Sequence, residues 1–170
     1  MNMQRGAFRG LGLVACGLVA ASGGCGYSSS SLHTGAVRNV YVEMFQSKEF
    51  RRGLEMQLTE ALRKAIDSRS RYHNAPRRTA DSVLSGEILE VRQSALGKGF
   101  QADQPRQMAA TFVVSYRWKD LRTGRILAEN KQFVQTVEYV TPVGETFFDA
   151  SQEAMDKLAL GIVDNMETGW

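Results

Sequence analysis

The stretch Thr111-Phe112-Val113-Val114-Ser115-Tyr116-Arg117-Trp118-Lys119, followed by Asp120-Leu121-Arg122-Thr123-Gly124, decides how this chain folds. Phe112, Val114, Tyr116 and Trp118 alternate with Thr111, Ser115, Arg117 and Lys119. A period of two with apolar and polar rows is the pattern of a strand that is dry on one face and wet on the other. Asp120 to Gly124 has turn chemistry, and Gly124 is free to take a positive φ. Residues 126–140 then read as the returning strand, so the two segments form a hairpin. A sheet with one dry face needs a second layer to cover it.

Moving outward, the flanking segments supply that layer. Residues 37–45 alternate, with Val40, Val42 and Met44 on one side and Asn39, Tyr41 and Glu43 on the other, as in a half-buried strand. In residues 50–66 the period changes. Phe50, Leu54, Leu58, Ala61, Leu62, Ala65 and Ile66 recur at three- and four-residue spacing, opposite a charged face, which predicts a surface helix. Residues 68–78 contain Pro76 and read as a loop. Residues 82–92 are β-like, and Gly86 among them signals a bulge or a close backbone approach. Residues 94–106 hold Gly97, Gly99 and Pro105 and read as a loop. Past Pro142 and Gly144, residues 145–166 put Phe148, Met155, Leu158, Ala159, Ile162 and Met166 on one helical stripe. The order of strand, helix, three strands and helix predicts a two-layer α/β sandwich. It is an α+β arrangement with a mixed sheet of about four strands and two helices packed on one face.

The first 24 residues read as an address outside the fold. Arg5 and Arg9 precede an apolar run from Leu11 to Ala21, and Ser22, Gly23 and Gly24 are small. The run is too short to span a bilayer as a helix. Cys25 follows at once, and a cysteine in that place is expected to be diacylated and to become the new amino terminus. Two acyl chains make anchoring stable where one would not. Cys16 has the better local lipobox, Leu13-Val14-Ala15, but leaves a very short apolar run, and an ordinary secretory signal holding both cysteines is the further alternative. The reading adopted is a signal peptide at 1–24, a lipidated flexible tether at 25–36 and a folded domain at 37–170. Extended, the nine tether residues from Ser28 to Ala36 reach about 30 Å at ~3.3 Å per residue.

Removing the signal also corrects the charge. The chain has 21 Lys and Arg against 18 Asp and Glu, and loss of Arg5 and Arg9 leaves 21 − 2 = 19 against 18. A near-neutral domain lacks the electrostatic footprint of a nucleic-acid binder. With Cys25 acylated, no thiol remains for a disulfide or a thiolate metal site. His33 and His73 are isolated, so no metal or cofactor site is expected. No nucleophile elbow or phosphate loop occurs, and Gly97-Lys98-Gly99 lacks the required glycine spacing and hydroxyl residue. Strand alternation puts Glu87 and Glu90 on opposite faces, a poor acid/base pair. Phe112 and Trp118 read as core. Enzymatic chemistry is not expected.

A resemblance emerges from the succession of motifs. Cys25-Gly26-Tyr27, Val40-Tyr41-Val42-Glu43-Met44-Phe45, Gly53-Leu54-Glu55 with Leu58-Thr59-Glu60-Ala61-Leu62, Ala80-Asp81 before Leu84-Ser85-Gly86-Glu87-Ile88, and Asp120-Leu121 with Thr123-Gly124 resemble, in order, the LptE family of lipopolysaccharide-assembly lipoproteins. Ser22 stands where the lipobox usually has Leu, which is the main departure. The resemblance implies a lipid-anchored outer-membrane protein without enzymatic activity. It would plug the β-barrel LptD, help that barrel assemble and handle lipopolysaccharide. Lipid A phosphates call for cationic partners. Arg92, Lys98, Arg106, Arg117, Lys119, Arg122 and Arg125 lie in strand ends and loops, and Lys98 and Arg106 are the candidates for lipopolysaccharide binding because their Gly- and Pro-containing segment can approach a bulky ligand. Two other classes stay open on the residues alone: an envelope lipoprotein regulating a cell-wall synthase, and a secreted hydrolase with an unrecognised site.

Overall fold

A computed structural model describes residues 37–98, 105–140 and 144–168. Cys25, the signal segment and the tether lie outside the described residues. The elements in chain order are β1 (Asn39–Val42), β2 (Gln46–Ser47), α1 (Leu54–Arg69), β3 (His73–Asn74), β4 (Ser82–Lys98), β5 (Pro105–Asp120), β6 (Ile126–Tyr139) and α2 (Phe147–Thr168). One mixed sheet has the order β3-β1-β4-β5-β6, with β2 paired to β4 beyond β1. β1 runs parallel to β3 and β4, while β4, β5 and β6 form an antiparallel meander. Parallel neighbours need a crossover, and α1 between β1 and β4 supplies it.

The two-layer α+β architecture is as expected, with two helices on a mixed sheet, but the sheet has six strands rather than about four. The two extra strands are two-residue segments too short to show a period. Six further expectations are corrected. The first strand ends at Val42 instead of continuing to Phe45. Met44 then turns outward at 51% exposure and Phe45 inward at 1%, because the irregular 43–45 segment shifts the chain along β4 to start β2. α1 starts at Leu54, where Gly53 takes φ 96, so Phe50 falls outside the helix and is wholly exposed. The segment read as a loop from residue 68 instead completes α1 and adds β3. Residues 94–98 and 105–106, also read as loop, are strand: β4 and β5 extend as a ribbon to the Lys98↔Pro105 pair. α2 starts at Phe147, which packs inward, and Phe148 is exposed instead. The sixth concerns Glu87 and Glu90. Leu89 is bulged between the Ile88↔Val114 and Glu90↔Val113 pairs, and the extra residue brings both glutamates to one face.

The core lies between helices and sheet. Phe112, Val114, Tyr116 and Trp118 of β5 meet Leu58, Leu62 and Ile66 of α1 and Leu158, Ile162 and Met166 of α2 in one buried cluster. Each such fully buried side chain contributes about 1.5–3 kcal/mol. The helices run parallel. Ser151 Oγ donates to Gln57 Oε1 at their starts (3.3 Å), and Tyr72 Oη donates to the Met166 carbonyl near their ends (3.4 Å). Buried polar groups are paired: Trp118 Nε1 donates to Ser82 Oγ at 2.8 Å, and Thr59 Oγ1 accepts from Phe45 N–H at 3.1 Å. Gly86 marks a close approach. A Cβ there would stand 2.3 Å from the Phe45 ring and 2.4 Å from the Ser115 carbonyl oxygen.

Candidate functional site

The face of the sheet away from the helices is mostly polar, with side chains fastened to one another around an apolar cross-strand pair, half-buried Val113 and exposed Val134. Thr111 and Thr136 share a hydroxyl hydrogen bond of 2.9 Å across β5 and β6, and Gln107 Nε2 donates to Glu138 at 2.7 Å. Arg117 donates to Glu129 Oε1 from Nε at 2.8 Å and from Nη2 at 2.5 Å. Lys48 pairs with Glu87 at 2.9 Å, and the Arg92 guanidinium grips Glu90, holding that carboxyl below the usual carboxylate range. Exposed pairs of this kind add little to stability, about 0–1 kcal/mol each. What they do provide is order, with long side chains held in fixed places before any partner arrives. An open depression of about 460 Å³ crosses this face between Glu43 and Lys131, floored by Ser85, Glu87, Ser115 and Arg117. Glu87 and Glu90 share the face, yet each carboxylate is committed to its own cation, which leaves neither placed as a general acid or base.

The ends of the sheet differ sharply. At the base, Asp81 Oδ2 accepts the backbone N–H groups of Arg38 and Asn39 at 3.1 and 2.9 Å, where the described chain begins. Beside it, Asp120 closes the β5–β6 turn by accepting from Arg122 N–H at 2.7 Å and from the Thr123 hydroxyl at 2.7 Å. The backbone bonds at Asp81 and the Thr123 hydroxyl bond at Asp120 hold both carboxyls below their ordinary pKa. Arg122 and Arg125 belong to this end. At the other end the β4–β5 ribbon carries Lys98 and Arg106 to neighbouring register positions on opposite strands. The backbone therefore brings together the two cations singled out in the sequence. Arg92 and Arg117 are paired on the outer face instead, and Lys119 is an exposed residue of β5 near the base.

The sequence reading missed a cluster where the two helices start, towards the ribbon end. The Arg51 guanidinium lies 4.0 Å over the Phe147 ring, which in turn stacks on Phe112 with ring centres 6.0 Å apart. The Gln93 amide, oriented with its oxygen toward Arg51 and its nitrogen toward Tyr139 Oη, ties the cluster to β4 and β6. The signal was present in the adjacent pair Phe147-Phe148: a helix start can turn only one of two neighbouring rings inward. His73 is exposed in β3, and among the described residues no three His, Cys, Asp or Glu side chains gather into a metal site. No helix among the described residues is long and apolar enough to cross a membrane.

The fold is a two-layer α+β domain with a solvent-facing sheet face and a β4–β5 ribbon that extends from one end of the sheet. The fold is shared with a hypothetical protein of Chlamydia trachomatis at TM-score 0.54 and 13% identity, covering 77% of this chain and 96% of that one. A protein of Xanthomonas campestris matches at TM-score 0.52 and 12% identity, over 78% of this chain and 85% of its own. An uncharacterized lipoprotein B of Nitrosomonas europaea matches at TM-score 0.50 and 12% identity, over 78% and 86%. No curated protein matches by sequence. The family model of LptE, lipopolysaccharide-assembly, matches residues 37–166. The chain belongs to the LptE lipopolysaccharide-assembly family. The motif residues that carried the resemblance turn out to be structural: Asp81 receives the start of β1, Gly86 admits Phe45, and Asp120 with Gly124 closes the hairpin.

Proposed function

We propose that residues 1–24 are removed, that Cys25 is acylated in the outer membrane, and that residues 25–36 tether the 37–170 domain to an LptD-like β-barrel, in whose lumen it sits as plug and assembly partner. The observation that carries this reading is the outer sheet face. A barrel lumen is polar, and a face dominated by pre-paired Thr, Gln, Arg and Glu side chains, with Val113 and Val134 as an apolar cross-strand pair, suits those surroundings where a wholly apolar face would not. Length supports it as well. The 17 residues of β4 reach roughly 50 Å at ~3.3 Å each, more than the ~30 Å hydrocarbon core. A domain held at its base can therefore carry Lys98 and Arg106 to the far side of the bilayer. There the two cations pair with lipid A phosphates as lipopolysaccharide passes to the outer leaflet.

Mass spectrometry of the amino terminus from the membrane fraction tests the anchor: a diacylated Cys25 is expected, and an unmodified end or a start at Cys16 contradicts it. Binding of purified lipopolysaccharide tests the cations. The Lys98→Glu, Arg106→Glu double variant is expected to bind at least tenfold more weakly, and unchanged binding removes both residues from the reading.

A further inference from the structure

The base of the sheet carries more positive charge than its own folding uses. Asp81 and Asp120 are turned onto backbone N–H groups and the Thr123 hydroxyl. Around these two carboxylates stand four exposed cations, Arg38, Lys119, Arg122 and Arg125. Arg122 is attracted to both carboxylates. The Arg38 and Lys119 side chains form no ion pair or hydrogen bond among the described residues. Four cations against two carboxylates leave this end positive in a mature chain that is otherwise nearly balanced.

The β5–β6 turn also holds two apolar side chains in water at the same end. Leu121 is 45% and Ile126 46% exposed. They are interleaved with the cations. Lys119 and Ile126 are register partners, and the Lys119 chain runs along the turn, its Cε 3.9 Å from where a Cβ on Gly124 would stand. Apolar tips set among Lys and Arg suit the boundary of a bilayer, where the tips enter the headgroup layer and the cations meet lipid phosphates.

Electrostatic attraction to a bilayer fades within about 8 Å at physiological salt, so such a surface works only if the chain brings it close. The described chain starts at Val37, and Asp81 holds the very next backbone N–H, that of Arg38. The tether therefore leaves from this end. Extended, its nine residues from Ser28 to Ala36 reach about 30 Å, whereas the ribbon end lies a strand length further away. We infer that the β5–β6 turn and Arg38 form a docking surface for the anionic phospholipid headgroups of the leaflet that holds the anchor, with Leu121 and Ile126 entering the headgroup layer. The inference rests on the proposed acylation of Cys25 and adds an orientation that a flexible tether cannot impose. Docked at its base, the domain stands with the ribbon end away from the bilayer and the outer sheet face open, until a barrel takes it up.

The test uses the mature chain with Cys25→Ser, so that no acyl chain contributes and the anchor is left to mass spectrometry. Flotation is compared between vesicles in which about a third of the lipid is phosphatidylglycerol and vesicles of phosphatidylcholine alone. At low salt the chain is expected to bind the anionic vesicles at least tenfold more tightly, and to lose that preference at high salt. Each cation near the surface strengthens binding about fivefold. Lys119→Glu with Arg122→Glu should therefore weaken binding at least tenfold, and Arg38→Glu at least fivefold, while Lys98→Glu with Arg106→Glu stays within twofold. All the substituted side chains of the base are exposed, so melting should be unchanged; if the turn variant melts lower, Arg38→Glu decides. No preference for the anionic vesicles overturns the surface, as does a base variant that binds them like the wild type. An equal loss in the ribbon variant also overturns it, because the attraction then follows net charge and not the base.

Discussion

On β5, Phe112, Val114, Tyr116 and Trp118 turn toward the helices and are almost fully buried, while Thr111, Val113, Ser115 and Arg117 between them face away. The two rows share a backbone, a register and a neighbourhood, yet they answer to different demands. The inner row is fixed by packing. Every atom lost there leaves a void, and the Trp118 indole also holds Ser82 Oγ and meets Tyr72 edge-on at 5.0 Å. In the outer row Thr111 and Arg117 are held by cross-strand pairs that water would satisfy almost as well. That row is free to be chosen for a partner, and the contrast between the faces is therefore a division between what folds the chain and what folding leaves open.

That contrast can be broken first at its strong side. Trp118→Ala is expected to cost about 3–5 kcal/mol, read as a lower urea midpoint with unchanged slope. A cost near zero would mean the inner row is not the core. Gly86→Ala sharpens the same point, since the added methyl meets both the Phe45 ring and the Ser115 carbonyl oxygen. A loss of about 1–3 kcal/mol is expected, and a neutral result would show that the approach relaxes freely.

The base of the sheet makes a pH-dependent contribution between these extremes. Folding holds Asp81 and Asp120 below their ordinary value of 3.8. A depressed carboxyl stabilises above its unfolded pKa and loses that contribution as pH falls through its folded one. Stability should therefore decline below about pH 4, and the Asp81→Asn, Asp120→Asn double variant should flatten that decline when unfolding is followed against pH. The smallest stability effect is expected on the outer row. Arg117→Gln, which removes the bond to Glu129, should shift stability by no more than ~0.5 kcal/mol, within reach of a careful denaturant titration. A larger loss would make this face part of the folding machinery.

How much of this was legible follows from the lengths of the signals. The β5–β6 hairpin and both helical stripes were readable because alternation over nine residues, or three- and four-residue spacing over seventeen, leaves one consistent solution. β2 and β3 are two residues each, too short for any period, and exist because β1 and β4 offer them edges. Gly97, Gly99 and Pro105 gave residues 94–106 the look of a loop, yet pairing with a long partner strand overrode that local preference through Lys98 and Pro105. The bulge at Leu89 reversed the expected separation of Glu87 and Glu90, since one extra residue flips every side chain beyond it. At the candidate site, Lys98 and Arg106 were singled out from their setting in the chain, and what the structure adds is the backbone pairing that sets them on neighbouring positions of two strands. The cluster around Phe147 was not singled out, because counting helical spacing assigned Phe148 to the buried stripe, and only the start of α2 at Phe147 decides which of two adjacent phenylalanines faces in.

The central claim is that the outer sheet face meets the lumen of an outer-membrane barrel. Its most direct measurement is photo-cross-linking in cells from a reactive residue placed at Ser115 or Thr136, with Leu158 in the core as the silent control. Capture of one large β-barrel protein from both outer positions, and of nothing from the core, is the expected result. Outer positions that capture no barrel, in cells where the mature chain is folded and membrane-bound, would contradict the account.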